Sequence, residues 1–426
     1  MFFTLEVLPA QEGDCLLLHW GTQAKPRLAV IDGGPGRVYE NTLKPRLEAI
    51  AAKRNAAPLP IDLVMVSHVD NDHIVGIKKL FRDLKKDIED ETADEDRSFK
   101  VERLWHNTFN DVLGDSIDKY YKTLTASVTA SVDGGPNPKI VDAVKKNLEQ
   151  KGETEDEAVH VAHDIGLILA GHGESRELRD NHGVLREAHD IAVINHPFEK
   201  NGKPTLITAE MTPTPVKLDG LSFKIVGPLE AQIKALQVEF DAFITARGLT
   251  AEAMLAAYSD TRAPNLSSIV ALVTMNGKKI LLTGDARGDF VLTGLTKAGL
   301  LSPPPLKVDI LKVPHHGSDH NLEIDFFEKI IADTYVFSAD GRFGNPDRTS
   351  VEMLIEARGK NARYDIVIPY KVAAVDTKRK SESRKPWKPA DHALAKLFAA
   401  RAADGFKFKV REGKAHKIEL GDAIPW

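Results

Sequence analysis

Residues 61–73 read IDLVMVSHVDNDH, a mostly apolar run followed at once by two histidines and two aspartates. The run has the length and the β-branched content of a buried strand. In residues 74–84, apolar side chains then recur at helical spacing. We therefore expect the polar residues to lie in a turn between a strand and a helix. There, a rigid strand end aims the side chains and the helix start supplies backbone N–H donors.

The polar turn contains His68, Asp70, Asp72 and His73. Neighbouring ionised carboxylates repel each other and lose hydration, so such a cluster requires a compensating cation. Imidazole nitrogen and carboxylate oxygen are ligands for zinc, manganese and iron. Residues 68 and 70 point the same way if extended, and residues 72 and 73 turn onto the helix start. The segment can therefore present two ligands to each of two neighbouring ions.

Two further loops with ligand-type residues each follow a strand-like run. The first is LTGD at residues 282–285, and the second is VPHHGS at residues 313–318. Asp285 could bridge two ions, and a histidine from positions 315–316 could complete one ligand set. A pair of divalent ions lowers the pKa of water and binds the attacking and leaving oxygens, which indicates a hydrolase.

Composition is that of an ordinary globular protein, with 42% hydrophobic and 28% charged residues among 426. The formal net charge of −5 does not favour general attraction to nucleic acid. Cys15 is the one cysteine, which excludes an intramolecular disulfide and fits a reducing compartment. The N-terminus lacks a basic signal-peptide region, and no apolar run approaches the roughly 20 residues of a membrane span. We expect a cytoplasmic protein without a membrane segment.

Strand and helix patterns alternate in both halves of the chain, which predicts an α/β fold within one domain over residues 1–426. An antiparallel hairpin is expected around Asn276-Gly277. Residues 85–210 differ in character and are predicted to form a mostly helical insertion, which could act as a lid or bind a protein partner. Residues 371–426 are interpreted as a C-terminal extension with a basic loop.

Six motifs occur in a characteristic order: GDCLLL, LAVIDGG, SHVDNDHIVG, NLSSIVALV, LLTGDA and DILKVPHHGS. They resemble the metallo-β-lactamase superfamily, whose signature is HxHxDH in the turn after a strand. Aspartate at the third signature position is similar to the branch that contains DNA-uptake competence proteins and bacterial choline-binding phosphoesterases. The resemblance covers residues 5–340 apart from the insertion. It implies a four-layer αββα sandwich with a dinuclear metal site.

The resemblance also assigns ligands to two divalent ions, zinc or manganese. His68 and Asp70 would bind one ion. Asp72 and His73 would bind the other, with Asp285 as the bridge. Aspartate in place of histidine at position 70 adds an anionic oxygen, which favours harder ions such as manganese.

Further roles come from the same resemblance. His316 would complete the ligand set of one ion, whereas His315 would contact phosphate or protonate the leaving group. Asp32, in the DGG turn, would orient the ligand loops, although a plain turn aspartate is an equal alternative. Asp72, Asp285 and His315 are thus the residues expected to carry catalysis.

The sequence departs from the family pattern in two places. The superfamily usually supplies one more histidine between the first motif and the bridging aspartate, and His106 is the best topological candidate. His163, His172 and His196 lie in the insertion and are expected to be surface residues. Where competence-type proteins carry Gly-His-Pro, residues 344–346 are Gly-Asn-Pro, so proton transfer from this loop is not expected.

These features favour a metal-dependent phosphodiesterase or nuclease that acts on DNA, RNA or a nucleotide. Ser318 and backbone donors beside the ions would contact phosphate. The basic run at residues 378–388, with Trp387, could contact a nucleic-acid backbone or form a solvated loop. Hydrolysis of a carboxylic ester, thioester or lactam is the second hypothesis, and a metal-stabilised binding module without activity is the third.

Overall fold

The structure is a computed structural model that describes residues 1–107, 131–132, 135–150, 191–200, 203–211, 213–235, 238, 267–383 and 386–426. The strands are β1 (Phe2–Val7), β2 (Leu16–Gly21), β3 (Pro26–Ile31), β4 (Leu59–Ile61), β5 (Leu63–Met65), β6 (Phe99–Val101), β7 (Arg103–Trp105), β8 (Ser131–Val132), β9 (Gly135–Pro136), β10 (Val193–Ile194), β11 (Glu199–Lys200), β12 (Lys203–Pro204), β13 (Val216–Leu218), β14 (Leu221–Gly227), β15 (Val270–Met275), β16 (Lys278–Leu282), β17 (Leu306–Lys312), β18 (Ile330–Val336), β19 (Arg363–Ile368), β20 (Lys407–Glu412) and β21 (His416–Glu419). The helices are α1 (Lys44–Arg54), α2 (Asn71–Glu89), α3 (Pro138–Gln150), α4 (Gly288–Lys297), α5 (Ile324–Lys329), α6 (Arg348–Arg358), α7 (Val372–Glu382), α8 (Pro389–His392) and α9 (Leu394–Ala403).

Two mixed sheets contain most of the strands. The first has the order β10-β7-β5-β3-β2-β1-β21, and the second has the order β13-β14-β15-β16-β17-β18-β19-β20. In the first sheet β3, β5, β7 and β10 are parallel neighbours, and in the second sheet β16 to β20 are parallel neighbours. The remaining pairs in both sheets are antiparallel. The predicted α/β class is confirmed.

Three hydrophobic clusters define the layers. One lies between the sheets and joins side chains of both, such as Leu18 and Ile31 with Ile280 and Ile310. A second joins the other face of the first sheet to α1 and α2. The third joins the other face of the second sheet to α4, α5, α6, α7 and α9. The order of layers is therefore helix, sheet, sheet, helix.

Side-chain alternation explains why the central strands are continuous apolar runs. In β2, Leu16 and Leu18 face the inter-sheet cluster whereas Leu17 faces the helices. Successive side chains of a strand point to opposite faces, so a strand covered on both faces must be apolar at every position. The predicted hairpin is also confirmed, because β15 and β16 pair antiparallel across Asn276 and Gly277, both at positive φ.

Helix α2 begins within the polar turn. Its first residue is Asn71, so Asp72 and His73 lie in the first helical turn, while His68 and Asp70 precede the helix. The DGG turn packs closely on this helix start: Gly33 N donates to the carbonyl of His73 at 2.7 Å. A Cβ atom on Gly76 would lie 2.0 Å from the carbonyl oxygen of Gly33. This contact sets the position of the first helical turn.

Both ends of residues 85–210 contribute to the sheets. β7 and β10 pair in the first sheet, and β4 pairs with β6. Helix α3 lies between these ends, and the helices predicted over residues 155–190 fall outside the described residues. The predicted C-terminal extension likewise supplies one edge strand to each sheet, β20 and β21.

Among the described residues, no helix combines the length and the apolar character needed to cross a bilayer.

Gly76→Ala is expected to lower the free energy of unfolding by about 1–3 kcal/mol, because the added methyl group overpacks the contact with Gly33. The same change should also weaken binding of Mn²⁺ or Zn²⁺, since the displaced helix start carries Asp72 and His73. Thermal unfolding and metal titration measure the two effects.

Gly294→Ala in α4 is the matched control, because its Cβ would lie 1.9 Å from the carbonyl oxygen of Val226 in β14. It should cost similar stability and leave metal affinity unchanged. Equal metal affinities in the two variants would contradict the link between Gly76 and the ligand turn.

Candidate metal centre

The predicted ligands lie where parallel strands end. The turn at residues 66–70 follows β5, residues 283–285 follow β16, and residues 313–316 follow β17. The N–H of Ile269 donates to the carbonyl of Ser67 at 2.8 Å, which ties the two sheets together at this edge. Loops at the carboxyl ends of parallel strands are the usual place for a site in α/β proteins.

Four of the predicted side chains face one another: Asp72, His73, Asp285 and His316. Nε2 of His73 lies 3.2 Å from Nε2 of His316, 3.5 Å from Asp72 Oδ2 and 3.4 Å from Asp285 Oδ1. Nε2 of His316 lies 3.3 Å from Asp72 Oδ2 and 3.1 Å from Asp285 Oδ2. Ligand atoms at about 2.0–2.2 Å from one ion are separated by about 2.8–3.6 Å. These spacings fit a shared metal ion.

A second set of ligand atoms adjoins the first. Nε2 of His68 lies 3.5 Å from Asp70 Oδ2 and 4.0 Å from Asp285 Oδ2. His68 is fully buried, and among the described residues its Nε2 has no hydrogen-bond partner. A buried polar atom in this state requires a cation or a donor. Burial also raises the pKa of Asp70, so its ionised form depends on a nearby positive charge.

Two groups of side chains could each hold a metal ion. One is Asp14, His73, Asp285 and His316, and the other is His68, Asp72 and His73, with ligand atoms within 4.8 Å of one another in each group. Asp14 lies in the GDCLLL motif but was not among the predicted ligands. Its signal in sequence was weak, because an aspartate after glycine is also typical of a turn.

Lys312 also lies in the centre and was not predicted. It is buried at the end of β17, and its Nζ lies 2.5 Å from Asp14 Oδ2 and 3.4 Å from Asp285 Oδ1. Burial disfavours the ammonium form, but Asp14 and Asp285 outweigh it and raise the pKa of Lys312. The sequence signal for Lys312 was its place in a strand, at a position whose side chain points between two sheets, where a lysine is unusual.

Asp32 holds the candidate ligand His73 in place. Its Oδ2 lies 3.0 Å from Nδ1 of His73 and 2.7 Å from the Ser67 hydroxyl, and its Oδ1 accepts the Ser67 N–H at 2.7 Å. On the other side, Nδ1 of His316 donates to the carbonyl of Ser338 at 2.9 Å. With the Nδ1 atoms held in this way, the Nε2 atoms of His73 and His316 face the centre.

Charges within the centre shift several pKa values. Burial disfavours imidazolium, but Asp285 and Asp72 outweigh it and hold the pKa of His73 well above its ordinary value. Asp285 likewise raises the pKa of His316 against the effect of burial. Burial favours protonated carboxyls, yet His316 and His73 hold the pKa of Asp285 well below its ordinary value, and the pKa of Asp72 is lowered in the same way. A bound divalent ion would have to displace the imidazole protons.

The HHG turn has an unusual backbone. His315, His316 and Gly317 have φ values of 48°, 54° and 84°, so two bulky residues occupy the left-handed region. A Cβ on Gly317 would lie 2.5 Å from the ring of Phe337, which excludes other residues there. Such strain is characteristic of functional loops. Burial lowers the pKa of His315 to about 4, so its imidazole is neutral at pH 7.

The other predicted histidines differ in placement. His106 is buried, lies outside both groups of potential ligands and donates its backbone N–H to Asn195 Oδ1 at 2.9 Å. His196 is exposed, and its Nδ1 lies 3.0 Å from Glu199. His163 and His172 fall outside the described residues.

Part of the basic run is structural. Arg379 is buried in α7 and donates to the carbonyls of Gly344 and His392. It is therefore not available to contact nucleic acid, which corrects its predicted place in a basic loop. Lys378 lies 3.6 Å from Asp340. Residues 384 and 385 fall outside the described residues. The backbone N–H of Ser318 donates to the carbonyl of His315 at 2.8 Å, and contact of the Ser318 side chain with phosphate stays a prediction.

No family model matches the chain. No curated protein matches it significantly. The assignment of function therefore depends on the geometry and charge of the centre.

Asp32→Asn is expected to weaken metal binding by about 10- to 100-fold, because the neutral amide orients His73 less firmly than the carboxylate does. Isothermal titration with Mn²⁺ or Zn²⁺ measures this loss. Asp62→Asn is the matched control: Asp62 is also buried and also accepts a backbone N–H, from Leu28, but it lies just before β5. Unchanged affinity in Asp32→Asn would show that Asp32 does not orient a ligand.

Metal binding should protect the protein more strongly as the pH rises. The metal-free chain gains stability from protonated His73 and His316, whose pKa values are raised. That gain is complete below the unfolded-state pKa of about 6.5 and is lost as the pH rises through the folded-state values. Metal requires neutral imidazoles and binds more tightly at high pH.

The difference in Tm between metal-loaded and chelator-treated protein is therefore expected to widen between about pH 6 and pH 9. The exposed-histidine variant His196→Gln should show the same widening as the unmodified chain. A difference in Tm that stays constant over this range would rule out displacement of imidazole protons by metal.

Proposed function

We propose that this protein is a metal-dependent hydrolase of the metallo-β-lactamase fold that cleaves phosphodiesters at a dinuclear centre. The position of Asp285 is the main support. Its Oδ1 lies 3.4 Å from Nε2 of His73, and its Oδ2 lies 4.0 Å from Nε2 of His68. Its Oδ2 also lies 3.1 Å from Nε2 of His316. The carboxylate therefore adjoins histidines of both ligand sets and is suited to bridge two ions.

The ligand assignment follows from the spacings in the centre. His68 and Asp70 would hold one ion. His73 and His316, with Asp72, would hold the other, and Asp285 would serve both. His106 remains a candidate for the first ion, because Val66 N donates to the carbonyl of Trp105 and so places residue 106 beside the ligand turn.

Charge balance supports two divalent ions over one. The centre contains five carboxylates and one ammonium, and its imidazoles carry no charge when they bind metal. Four negative charges then remain, which two divalent cations neutralise. The high oxygen content is compatible with manganese as well as zinc. The charged groups counted here are Asp14, Asp32, Asp70, Asp72, Asp285 and Lys312.

The chain's own residues fit phosphodiester hydrolysis. When bound, the two ions would activate water and neutralise charge on the phosphate. His315 lies beside Asp285, with 3.7 Å between Nε2 and Oδ2, and is only partly buried. A neutral imidazole there can donate one N–H to a phosphate oxygen, which favours phosphate contact over leaving-group protonation for His315. The substrate would be a nucleic acid or a nucleotide.

Asp72→Ala and Asp285→Ala are expected to reduce hydrolysis of bis-p-nitrophenyl phosphate more than about 100-fold, since loss of a ligand costs more than loss of a residue that supports one. Circular dichroism should show the fold retained. Asp404→Ala, at the exposed end of α9, is the matched control and should keep full turnover. Full activity in either ligand variant would refute the assignment.

A substrate panel separates the alternatives. Turnover of nitrocefin or of a thioester, without turnover of the phosphodiester, would favour hydrolysis of carbonyl substrates by the same centre. A protein that binds two ions but is inert against the whole panel would favour the binding module.

A further inference from the structure

Lys312 occupies a position where an apolar side chain would be expected. Ile310, two residues earlier in β17, belongs to the inter-sheet cluster, and Leu311 belongs to the cluster on the helical face. Since strand side chains alternate, Lys312 points between the sheets as Ile310 does, and it is 1% exposed. A buried lysine requires partners of opposite charge.

Three oxygen atoms surround the ammonium of Lys312. They belong to Asp14 Oδ2 at 2.5 Å, the carbonyl of Gly284 at 3.0 Å and Asp285 Oδ1 at 3.4 Å. The ammonium has three N–H donors, so these acceptors use its whole donor capacity. A small metal cation in the place of the ammonium would be coordinated by the same oxygen atoms.

Asp14 lies on the Nδ1 side of the two histidines, His73 and His316. Its Oδ1 lies 3.5 Å from Nδ1 of His316, and its Oδ2 lies 3.9 Å from Nδ1 of His73. Those Nδ1 atoms already contact the Ser338 carbonyl and the carboxylate of Asp32. The Nε2 atoms of the same two imidazoles point away from Asp14, towards Asp72 and Asp285. Asp14 therefore contacts the outer side of the imidazoles and the lysine.

We propose that Lys312 is a built-in cation of the metal centre. Its positive charge neutralises Asp14, so that Asp14 is not a metal ligand. Its ammonium also contacts Oδ1 of Asp285 and so fixes that carboxylate. The lysine acts through these carboxylates and is a positioning residue. The inference rests on the metal-binding part of the proposed function, and it specifies how the chain limits the number of ions to two.

The test is the number of Mn²⁺ ions bound per chain, measured by equilibrium dialysis with elemental analysis. Lys312→Met leaves the carboxylate of Asp14 without its counter-charge, and we expect a gain of one Mn²⁺ per chain. In Asp14→Asn/Lys312→Met both charges are absent. This double variant should bind two Mn²⁺ ions. Its affinity for Mn²⁺ should fall less than the roughly 10-fold expected when a residue that supports a metal ligand is replaced.

Lys307→Met is the matched control, because Lys307 is an exposed residue of the same strand and its loss should not change the ion count. An unchanged count in folded Lys312→Met would overturn the proposal. Loss of an ion from the double variant would also overturn it, since Asp14 would then be a ligand. If Lys312→Met does not fold, the double variant decides. A wild-type chain that binds no ion would instead refute the proposed function.

Discussion

Carboxylate charge held away from solvent is the constraint on which the centre depends. Asp14, Asp32 and Asp285 are buried and share contacts with the same neighbouring side chains. Asp70 and Asp72 adjoin them and are only partly exposed. In a medium of low dielectric constant such charges repel strongly and cannot be satisfied by water. The chain supplies one ammonium and several imidazoles in compensation. The remaining negative charge is one that a metal cation could balance, and it explains why the pKa values of His73 and His316 are raised.

The architecture brings these charges together because both sheets end their parallel strands at the same edge. One sheet supplies the ligand turn before α2, and the other supplies the loops after β16 and β17. Contacts between loops then set the side-chain directions. Asp32 holds His73, the carbonyl of Ser338 holds His316, and the hydroxyl of Ser338 donates to the carbonyl of Gly13 at 2.8 Å. A small displacement of any of these loops would misdirect an imidazole, so the supporting hydrogen bonds matter as much as the candidate ligands.

Local patterns predicted much of this arrangement. The apolar runs, the Asn276-Gly277 turn and the helical spacing after residue 73 led to strands, a hairpin and a helix that the structure contains. The polar turn was conspicuous because acids and imidazoles rarely cluster without a charge-related reason. Arg379 was placed wrongly in a basic loop, because a basic run in sequence does not reveal which of its members will be buried. Such a residue can donate to carbonyls from distant loops, and only the packing of α7 against residues 344 and 392 shows it.

Residue chemistry and the periodicities of two and 3.6 residues were enough to predict the α/β class, the types of candidate ligand and their order along the chain. Which of these groups meet depends on the packing of distant segments. Asp14 and Lys312 are 298 positions apart, yet their side chains form the shortest ion pair of the centre. Their segments gave only weak signals: Asp14 follows a glycine in a turn, and Lys312 ends a strand. Their pairing depends on how the two sheets pack face to face, and no local pattern encodes that distance.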